Sequence, residues 1–301
     1  MIFLDNTEAL EEIQTLSSLT NNKGVHLIPN IEYRKVGTRS LKLHLLKPAH
    51  VNQTLPLIVF IQGCAFGASG PQEMFRFIPE LVSFAKKGYV IATVEHRLSN
   101  EALFPAQLVD VKAAVRYLKA NANTYHIDPE NVGVWGDSSG GYLASFLGIT
   151  SHSGEFDLEE EDKELSSSVK AVTNWYGPTD FLQMNNYFSI QDHDAPDSPE
   201  SLLIGGPLQE NKEKVRLANP ITYISKDSDI PPFLIMHGDA DELVPYNQSE
   251  LLFTALKNNG HKATMYKLEG EKHGTAGFYN EKVLELVQTF FDKHLKGHKE
   301  N

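Results

Sequence analysis

The chain has 301 residues, of which 41% are hydrophobic and 22% charged, a composition typical of a globular protein with a substantial buried core. Its formal net charge of −12 at pH 7 disfavours nucleic acid and anionic membrane surfaces as partners, because binding to phosphate needs clustered Lys and Arg. Composition does not define an oligomeric state. A single cysteine, Cys64, excludes an intrachain disulfide, and the N-terminus carries neither a basic leader nor a long apolar run. We therefore expect a cytoplasmic protein.

The first predicted elements are a helix and a hairpin. Residues 5–20 carry leucine and isoleucine at helical spacing after an Asp-Asn start, which predicts an amphipathic helix. Residues 31–36 and 41–46 flank a Gly-Thr-Arg-Ser turn. This arrangement predicts an antiparallel β-hairpin.

Further along the chain, short apolar strands alternate with helices. The strands are predicted at residues 57–61, 89–94, 132–135, 169–175, 233–236 and 263–268. Pro105 opens an amphipathic helix between the second and third of these strands, and another amphipathic helix closes the chain. Continuous apolar strands joined by helical crossovers predict an α/β fold with a mostly parallel central sheet and helices on both faces.

Two stretches interrupt this alternation. Residues 151–168 are polar and acidic, and residues 178–231 mix Pro, Gly, Asn and aromatic residues without a clear period. Such inserts rise over the carboxyl ends of the strands, where open α/β sheets bind ligands. We expect cap-like inserts at both, with the second as the main cap. Because no linker divides the chain, residues 1–301 are predicted to form a single domain, and the acidic residues 155–164 are interpreted as a solvated loop.

Ser138 is the candidate nucleophile. It lies at the centre of a G-x-S-x-G pattern at residues 136–140, which follows an apolar strand and precedes a helix-forming stretch. In such an elbow the serine takes a strained backbone conformation, and the residues two positions away must be nearly free of side chains. Gly136 and Gly140 meet this requirement. A phosphate-binding loop is disfavoured, because neither common glycine pattern of such loops occurs here.

A serine hydroxyl is a poor nucleophile at neutral pH, so it needs a base and a carboxylate that orients the base. Among twelve histidines, His273 lies in a glycine-flanked loop directly after the last predicted strand. Three carboxylates follow the preceding strand, namely Asp239, Asp241 and Glu242. Sequence spacing alone does not choose between them.

Together these motifs resemble the α/β-hydrolase superfamily, in the esterase/lipase branch related to hormone-sensitive lipase and the small bacterial carboxylesterases. The resemblance covers roughly residues 30–295. It rests on residues 60–66, 95–98, 104–110, 136–141, 237–245 and 273–274. It implies an α/β-hydrolase fold with Ser138 as nucleophile, His273 as general base and acid, and Asp241 as the orienting carboxylate. The family pattern H-G-x-x-D-x-x-V-P selects Asp241, and Asp239 is interpreted as a turn-stabilising residue.

The oxyanion loop departs from the family pattern. Where the family reads His-Gly-Gly-Gly followed by an aromatic residue, residues 62–66 read Gln-Gly-Cys-Ala-Phe. Backbone N–H groups bind the developing oxyanion, so the hole is expected to use the N–H of Ser139. Its other donors are expected from Gly63, Cys64 or Ala65. Cys64 is interpreted as a small buried residue and not as a nucleophile, since no base is evident near it.

The resemblance implies a serine carboxylesterase that cleaves small or short-acyl esters, aryl and acetyl esters among them, through an acyl-enzyme. Its expected partner is a small-molecule ester, and no metal or organic cofactor is needed. An amidase, formamidase or peptidase with the same residues is the nearest alternative, and a non-catalytic ligand-binding hydrolase fold is another. Phe66, Tyr176 and Phe181 are candidate substrate contacts, although packing of an irregular insert explains them equally well. Residues 192–194 (Asp-His-Asp) are interpreted as a solvated loop and not as a metal site.

Overall fold

A computed structural model describes residues 24–67, 77–157 and 164–297 of the chain. The helix predicted at residues 5–20 lies outside these described residues. Within the described ranges, no helix combines the length and the apolar character needed to cross a membrane.

Eight strands form one sheet. In chain order they are β1 (Val25–Val36), β2 (Arg39–Pro48), β3 (Leu55–Ile61), β4 (Val90–Val94), β5 (Ile127–Asp137), β6 (Ala171–Trp175), β7 (Phe233–Gly238) and β8 (Ala263–Leu268). Their order across the sheet is β1-β2-β4-β3-β5-β6-β7-β8. The pairs β1–β2 and β2–β4 are antiparallel, and all other neighbours are parallel. The predicted hairpin and the mostly parallel sheet are confirmed.

Helices cover both faces of the sheet, as predicted. They are α1 (Ile78–Lys86), α2 (Ala106–Ala120), α3 (Ala122–Tyr125), α4 (Ser139–Thr150), α5 (Pro199–Ile204), α6 (Lys212–Ala218), α7 (Asn247–Asn258) and α8 (Glu281–Leu295). Successive residues of a strand point to opposite faces. In β3, Leu57, Val59 and Ile61 therefore join one buried cluster with α2, α4 and α7, whereas Ile58 and Phe60 join a second cluster with α1 and α8.

The insert at residues 178–231 connects β6 to β7 and contains α5 and α6. The described part of residues 151–168 lies elsewhere. Helix α4 starts at the carboxyl end of β5 and leads the chain to the opposite edge of the sheet, where His152 lies 3.3 Å from Asp229, shortly before β7. This placement differs from the cap expected for residues 151–168.

The sequence predicts a solvated loop at residues 155–164, but one end of this acidic stretch contacts buried side chains. Asp157 lies 2.8 Å from the buried guanidinium of Arg116 and 3.3 Å from the buried ammonium of Lys112, both on α2. A carboxylate next to two buried cations neutralises charge that would otherwise be costly to remove from water. At least this end of the stretch therefore has a structural role.

A buried carboxylate joins the sheet to α2. Asp110 is fully buried and accepts hydrogen bonds from the Arg97 side chain, 2.9 Å to each carboxylate oxygen. Arg34 of β1 donates to the same carboxylate. Because Arg97 lies in the loop that follows β4, these contacts fix the segment between β4 and α2 against the antiparallel end of the sheet.

Replacing Asp110 with Asn should destabilise the fold, because it leaves the largely buried guanidinium groups of Arg34 and Arg97 without their carboxylate. We expect a loss of about 2–4 kcal/mol in the free energy of unfolding, measured by urea denaturation. The matched control is Glu213→Gln, which breaks an exposed pair with Arg216 and should change stability by less than about 0.5 kcal/mol. Equal effects of the two substitutions would contradict the structural role of Asp110.

Candidate active site

Ser138 lies at a tight elbow between β5 and α4. Its backbone angles are φ 51° and ψ −127°, a conformation that residues with side chains rarely adopt. A Cβ atom at Gly136 would overlap the carbonyl of Gly140, and a Cβ at Gly140 would overlap the carbonyl of Ile61 on β3. The two glycines therefore allow the elbow to form against the neighbouring strand. They present the Ser138 side chain at the carboxyl edge of the sheet.

The structure brings Ser138, His273 and Asp241 into one chain of hydrogen bonds. The Ser138 hydroxyl donates to Nε2 of His273 at 2.9 Å, and Nδ1–H of His273 donates to Oδ2 of Asp241 at 2.7 Å. The three residues follow β5, β8 and β7. Because these strands are parallel, their carboxyl ends meet at one edge of the sheet. The arrangement has the geometry that activation of a serine by a general base requires.

Asp241 is held as a carboxylate. Its Oδ1 accepts hydrogen bonds from the backbone N–H groups of Leu243 at 2.9 Å and Val244 at 3.0 Å. Burial raises the pKa of Asp241, but hydrogen bonds from His237 and His273 outweigh burial and hold the pKa well below its usual range. An ionised acid at this position orients the His273 imidazole and stabilises its protonated form.

His237 is a second histidine on the same carboxylate. It is fully buried at the end of β7, and its Nε2–H points to Oδ2 of Asp241 at 3.2 Å and to the Val244 carbonyl at 3.0 Å. These two acceptors place the proton on Nε2, so Nδ1 accepts a hydrogen bond from the Ser249 hydroxyl at 2.7 Å. His237 therefore shares Oδ2 of Asp241 with His273 and helps to hold the carboxylate in place.

The rival carboxylates have other partners. Asp239 accepts a hydrogen bond from the N–H of Gly270 at 2.7 Å and lies 3.4 Å from the ammonium of Lys267, so it ties the turn after β7 to β8. Glu242 pairs with Lys272 at 2.9 Å. Of the three acids that follow β7, it is Asp241 that accepts the hydrogen bond from His273.

The oxyanion loop differs in detail from the expectation. The N–H of Gly63 donates to Oδ1 of Asp137 at 2.8 Å, and the N–H of Cys64 donates to Oγ of Ser139 at 2.8 Å. Both amides already have protein acceptors. Gly63 and Cys64 were expected as oxyanion donors, and these contacts correct that expectation. The amides of Ala65 and Ser139 are the expected donors that remain. Gly63 has another purpose, since a Cβ there would lie 2.6 Å from Cβ of Ser138.

Ala65 stands where the family pattern has its third glycine, and Phe66 stands where it has the aromatic residue. Their φ angles are +48° and +58°, in the left-handed region that favours glycine. The strain costs on the order of 1 kcal/mol for each residue and must be met by neighbouring contacts. Ser99 provides such contacts, because its N–H and its hydroxyl both donate to the Phe66 carbonyl, at 2.8 Å and 3.0 Å.

Cys64 does have a base beside it, contrary to the expectation from the sequence. The buried imidazole of His96 hydrogen bonds with the Cys64 side chain. The thiol also lies 3.9 Å from Oγ of Ser139. Cys64 does not line the cavity in front of Ser138, so these contacts anchor the oxyanion loop.

A small cavity of about 80 Å³ opens in front of Ser138. Its lining comes from the elbow, the oxyanion loop, the loops that follow β7 and β8, and the insert. The lining residues are Ala65, Phe66, Ser138, Ser139, Pro178, Gln191, His193, Pro199, Glu200, Leu243, Val244 and His273. The insert at residues 178–231 therefore forms one wall of the cavity.

Of the three aromatic residues proposed as substrate contacts, Phe66 lines this cavity and the other two do not. Tyr176 and Phe181 have no exposed surface, which corrects the expectation of direct contact. The Tyr176 ring packs on the His273 imidazole with centroids 4.7 Å apart, and Phe181 stacks on Tyr142 at 5.3 Å. They support the wall of the site from behind.

His193 is buried, although residues 192–194 were interpreted as a solvated loop. Its Nδ1 lies 3.1 Å from Oε2 of Glu200, and its Nε2 lies 3.0 Å from the Leu243 carbonyl. Burial lowers the pKa of His193. The hydrogen bond and the negative charge of the Glu200 carboxylate raise the pKa by more, so the net shift is upward. Among the described residues, no group of three or more His, Cys, Asp or Glu side chains is arranged to hold a metal ion.

Comparison with known proteins identifies the family. Residues 43–256, more than two thirds of the chain, match the BD-FAE family. The chain belongs to this α/β-hydrolase family of esterases.

Relatives of this BD-FAE protein include esterases of known structure. A truncated carbohydrate esterase from gut microbiota is 33% identical with a TM-score of 0.79, covering 90% of this chain and 96% of that one. The propionate-bound esterase Est2 of Thermogutta terrifontis is 26% identical with a TM-score of 0.69, covering 87% and 92%.

Among curated sequences, the probable carboxylic ester hydrolase LipM of Mycobacterium tuberculosis is 28% identical over 213 residues, which is 71% of this chain and 47% of LipM. The chain spans about half the length of the curated relatives that it matches first.

The carboxylate of Asp241 should make stability depend on pH. Its pKa is lower in the folded state than in the unfolded state, so its contribution is present above about pH 4 and is lost as the pH falls towards the folded pKa. Asp241→Asn removes this contribution. The unfolding free energies of the wild type and the variant should therefore differ by roughly 2 kcal/mol at pH 6 and converge towards pH 2.

Urea denaturation at several pH values checks this expectation. Glu242→Gln is the matched control, because Glu242 is an exposed carboxylate in the same loop, and its effect should be small at every pH. A difference between wild type and Asp241→Asn that stays constant from pH 6 to pH 2 would count against the proposed carboxylate environment.

Proposed function

We propose that this BD-FAE protein is a serine carboxylesterase that hydrolyses small esters with short acyl groups. The observation that carries the proposal is the hydrogen-bond chain from Ser138 through His273 to Asp241, at the carboxyl edge of the sheet. Membership of an esterase family and the names of the relatives support the same reaction.

The proposed reaction begins with attack of the Ser138 hydroxyl on the ester carbonyl. His273 accepts the hydroxyl proton at Nε2 as the bond forms, and Asp241 stabilises the resulting imidazolium. The N–H groups of Ala65 and Ser139 stabilise the negative charge on the tetrahedral oxygen. His273 then gives the proton to the departing alcohol, which leaves an acyl group on Ser138.

Water completes the cycle by the same steps in reverse order. His273 takes a proton from a water molecule that attacks the acyl-enzyme, and it returns the proton to Ser138 as the acid leaves. Every proton moves between Ser138, His273, the substrate and water. The proposed mechanism therefore needs no metal ion or organic cofactor.

The size of the cavity supports a short acyl group. A cavity of about 150 Å³ is large enough to bind benzene, and the space in front of Ser138 is about 80 Å³. Phe66 and Leu243 lie among its apolar walls. Est2 of Thermogutta terrifontis, a structural relative, binds propionate and butyrate, which agrees with a short acyl chain.

Ser138→Ala should remove ester hydrolysis without unfolding the protein, because the substitution deletes only the nucleophilic oxygen. We expect kcat/KM for 4-nitrophenyl acetate to fall by roughly 10⁴-fold or more. The measurement is the rate at which 4-nitrophenol is released. An activated organophosphate should add one phosphoryl group to the wild type and none to the variant, as read by mass spectrometry. Hydrolysis by a folded variant at more than about 1% of the wild-type rate would reject Ser138 as nucleophile.

Acyl length should control the rate. We expect kcat/KM to fall by at least about 10-fold from 4-nitrophenyl acetate to the octanoate, because the longer chain exceeds the cavity in front of Ser138. The matched amide, 4-nitroacetanilide, should be cleaved more slowly than the acetate. A preference for octanoate would contradict the short-acyl proposal, and a preference for the anilide would favour an amidase.

A further inference from the structure

A buried carboxylate lines the cavity that the proposed reaction would use. Glu200, the second residue of α5, is only 4% exposed, yet it is among the residues that face the space in front of Ser138. Its Oε2 is paired with His193. Its other oxygen, Oε1, has no hydrogen-bond partner within the part of the chain that the structure describes.

His193 fixes this carboxylate from behind. Both imidazole nitrogens face acceptors, since Nδ1 meets Oε2 of Glu200 and Nε2 meets the carbonyl of Leu243. A histidine between a carboxylate and a carbonyl satisfies both when both its nitrogens carry a proton. The Ser189 hydroxyl lies 3.2 Å from Nε2 as well. The imidazolium thus clamps Glu200 of the insert to the loop that carries Asp241.

We propose that Glu200, positioned by His193, recognises a hydroxyl group that the ester carries within a few bonds of its scissile carbonyl. The inference rests on the proposed function, because it assigns a specificity residue to that same site. A carboxylate accepts hydrogen bonds and donates none. Its unused oxygen therefore selects a substrate group that donates a hydrogen bond.

The surroundings favour a neutral donor over a cation. The positive charge of His193 balances the negative charge of Glu200, so the pair presents a hydrogen-bond acceptor with little net charge. Gln191 lies on the same cavity wall and adds an amide that can both donate and accept. A hydroxyl group, which donates one hydrogen bond and accepts others, matches this pair of side chains. Phe66, Pro178 and Pro199, which also line the cavity, are apolar.

Two matched pairs of esters test the proposal. The first pair, 4-nitrophenyl acetate and 4-nitrophenyl glycolate, differs by a hydroxyl on the acyl group. The second pair, ethyl acetate and 2-hydroxyethyl acetate, differs by a hydroxyl on the alcohol. Each pair is corrected for its spontaneous hydrolysis rate in buffer. In at least one pair the wild type should prefer the hydroxylated ester by about 10-fold in kcat/KM, because a hydrogen bond to a charged group is gained.

Three variants assign the preference to Glu200. Glu200→Leu should abolish the preference, and the isosteric Glu200→Gln should reduce it several-fold while retaining the shape of the cavity. Glu210→Gln, an exposed carboxylate of the same insert outside the cavity, should leave both rates and their ratio unchanged. The readout is the ratio of the two rates, which a general loss of folded protein does not alter.

The outcomes separate this inference from the proposed function. If the wild type hydrolyses all four esters without preferring either hydroxylated member, or if Glu200→Gln and Glu200→Leu keep the wild-type ratio, Glu200 recognition is wrong and the esterase stands. An equal fall of both rates in the Glu200 variants also overturns the proposed hydroxyl recognition, because a residue with a purely structural role would give that result. If the wild type hydrolyses no ester, both proposals fail.

Discussion

The site depends on how closely β3 approaches the elbow that follows β5. A side chain at Gly140 would overlap the carbonyl of Ile61, and a side chain at Gly63 would collide with Ser138 itself. The last residues of β3 therefore lie directly against the turn that carries Ser138. This contact brings the loop at Gly63 next to the Ser138 side chain.

The two neighbours of Ser138 then hold the oxyanion loop in this position. Asp137 accepts the N–H of Gly63, and the Ser139 hydroxyl accepts the N–H of Cys64. Through these bonds, side chains of the elbow fix a loop that lacks two of the three glycines usual in the family. They also explain how Ala65 keeps a left-handed backbone despite its Cβ, since the residues before it are fixed by hydrogen bonds.

Much of this arrangement could be predicted from sequence, because strand and helix periodicity report burial directly. The parallel strands and the loops after them follow from that pattern, and parallel topology alone brings the loops of Ser138, Asp241 and His273 to one edge. The amide partners of Gly63 and Cys64 could not be predicted, because they depend on contacts more than seventy residues apart in the chain.

The insert was hardest to interpret for the same reason. The sequence around His193 is polar and predicts a solvated loop. It contains no signal that His193 is buried against Glu200 and the Leu243 carbonyl.

Two histidine–carboxylate pairs now flank the cavity, and they differ in one respect. Asp241 has both oxygens filled by donors from His237, His273 and two backbone amides, so it is saturated and serves only to orient. Glu200 has one oxygen filled by His193. The free oxygen of Glu200 belongs to a residue that lines the cavity, so a ligand there can supply a donor to it, whereas the saturated carboxylate of Asp241 has no oxygen left to offer. Under the proposed function, the same pair of residue types is used once to orient the general base and once to contact the substrate.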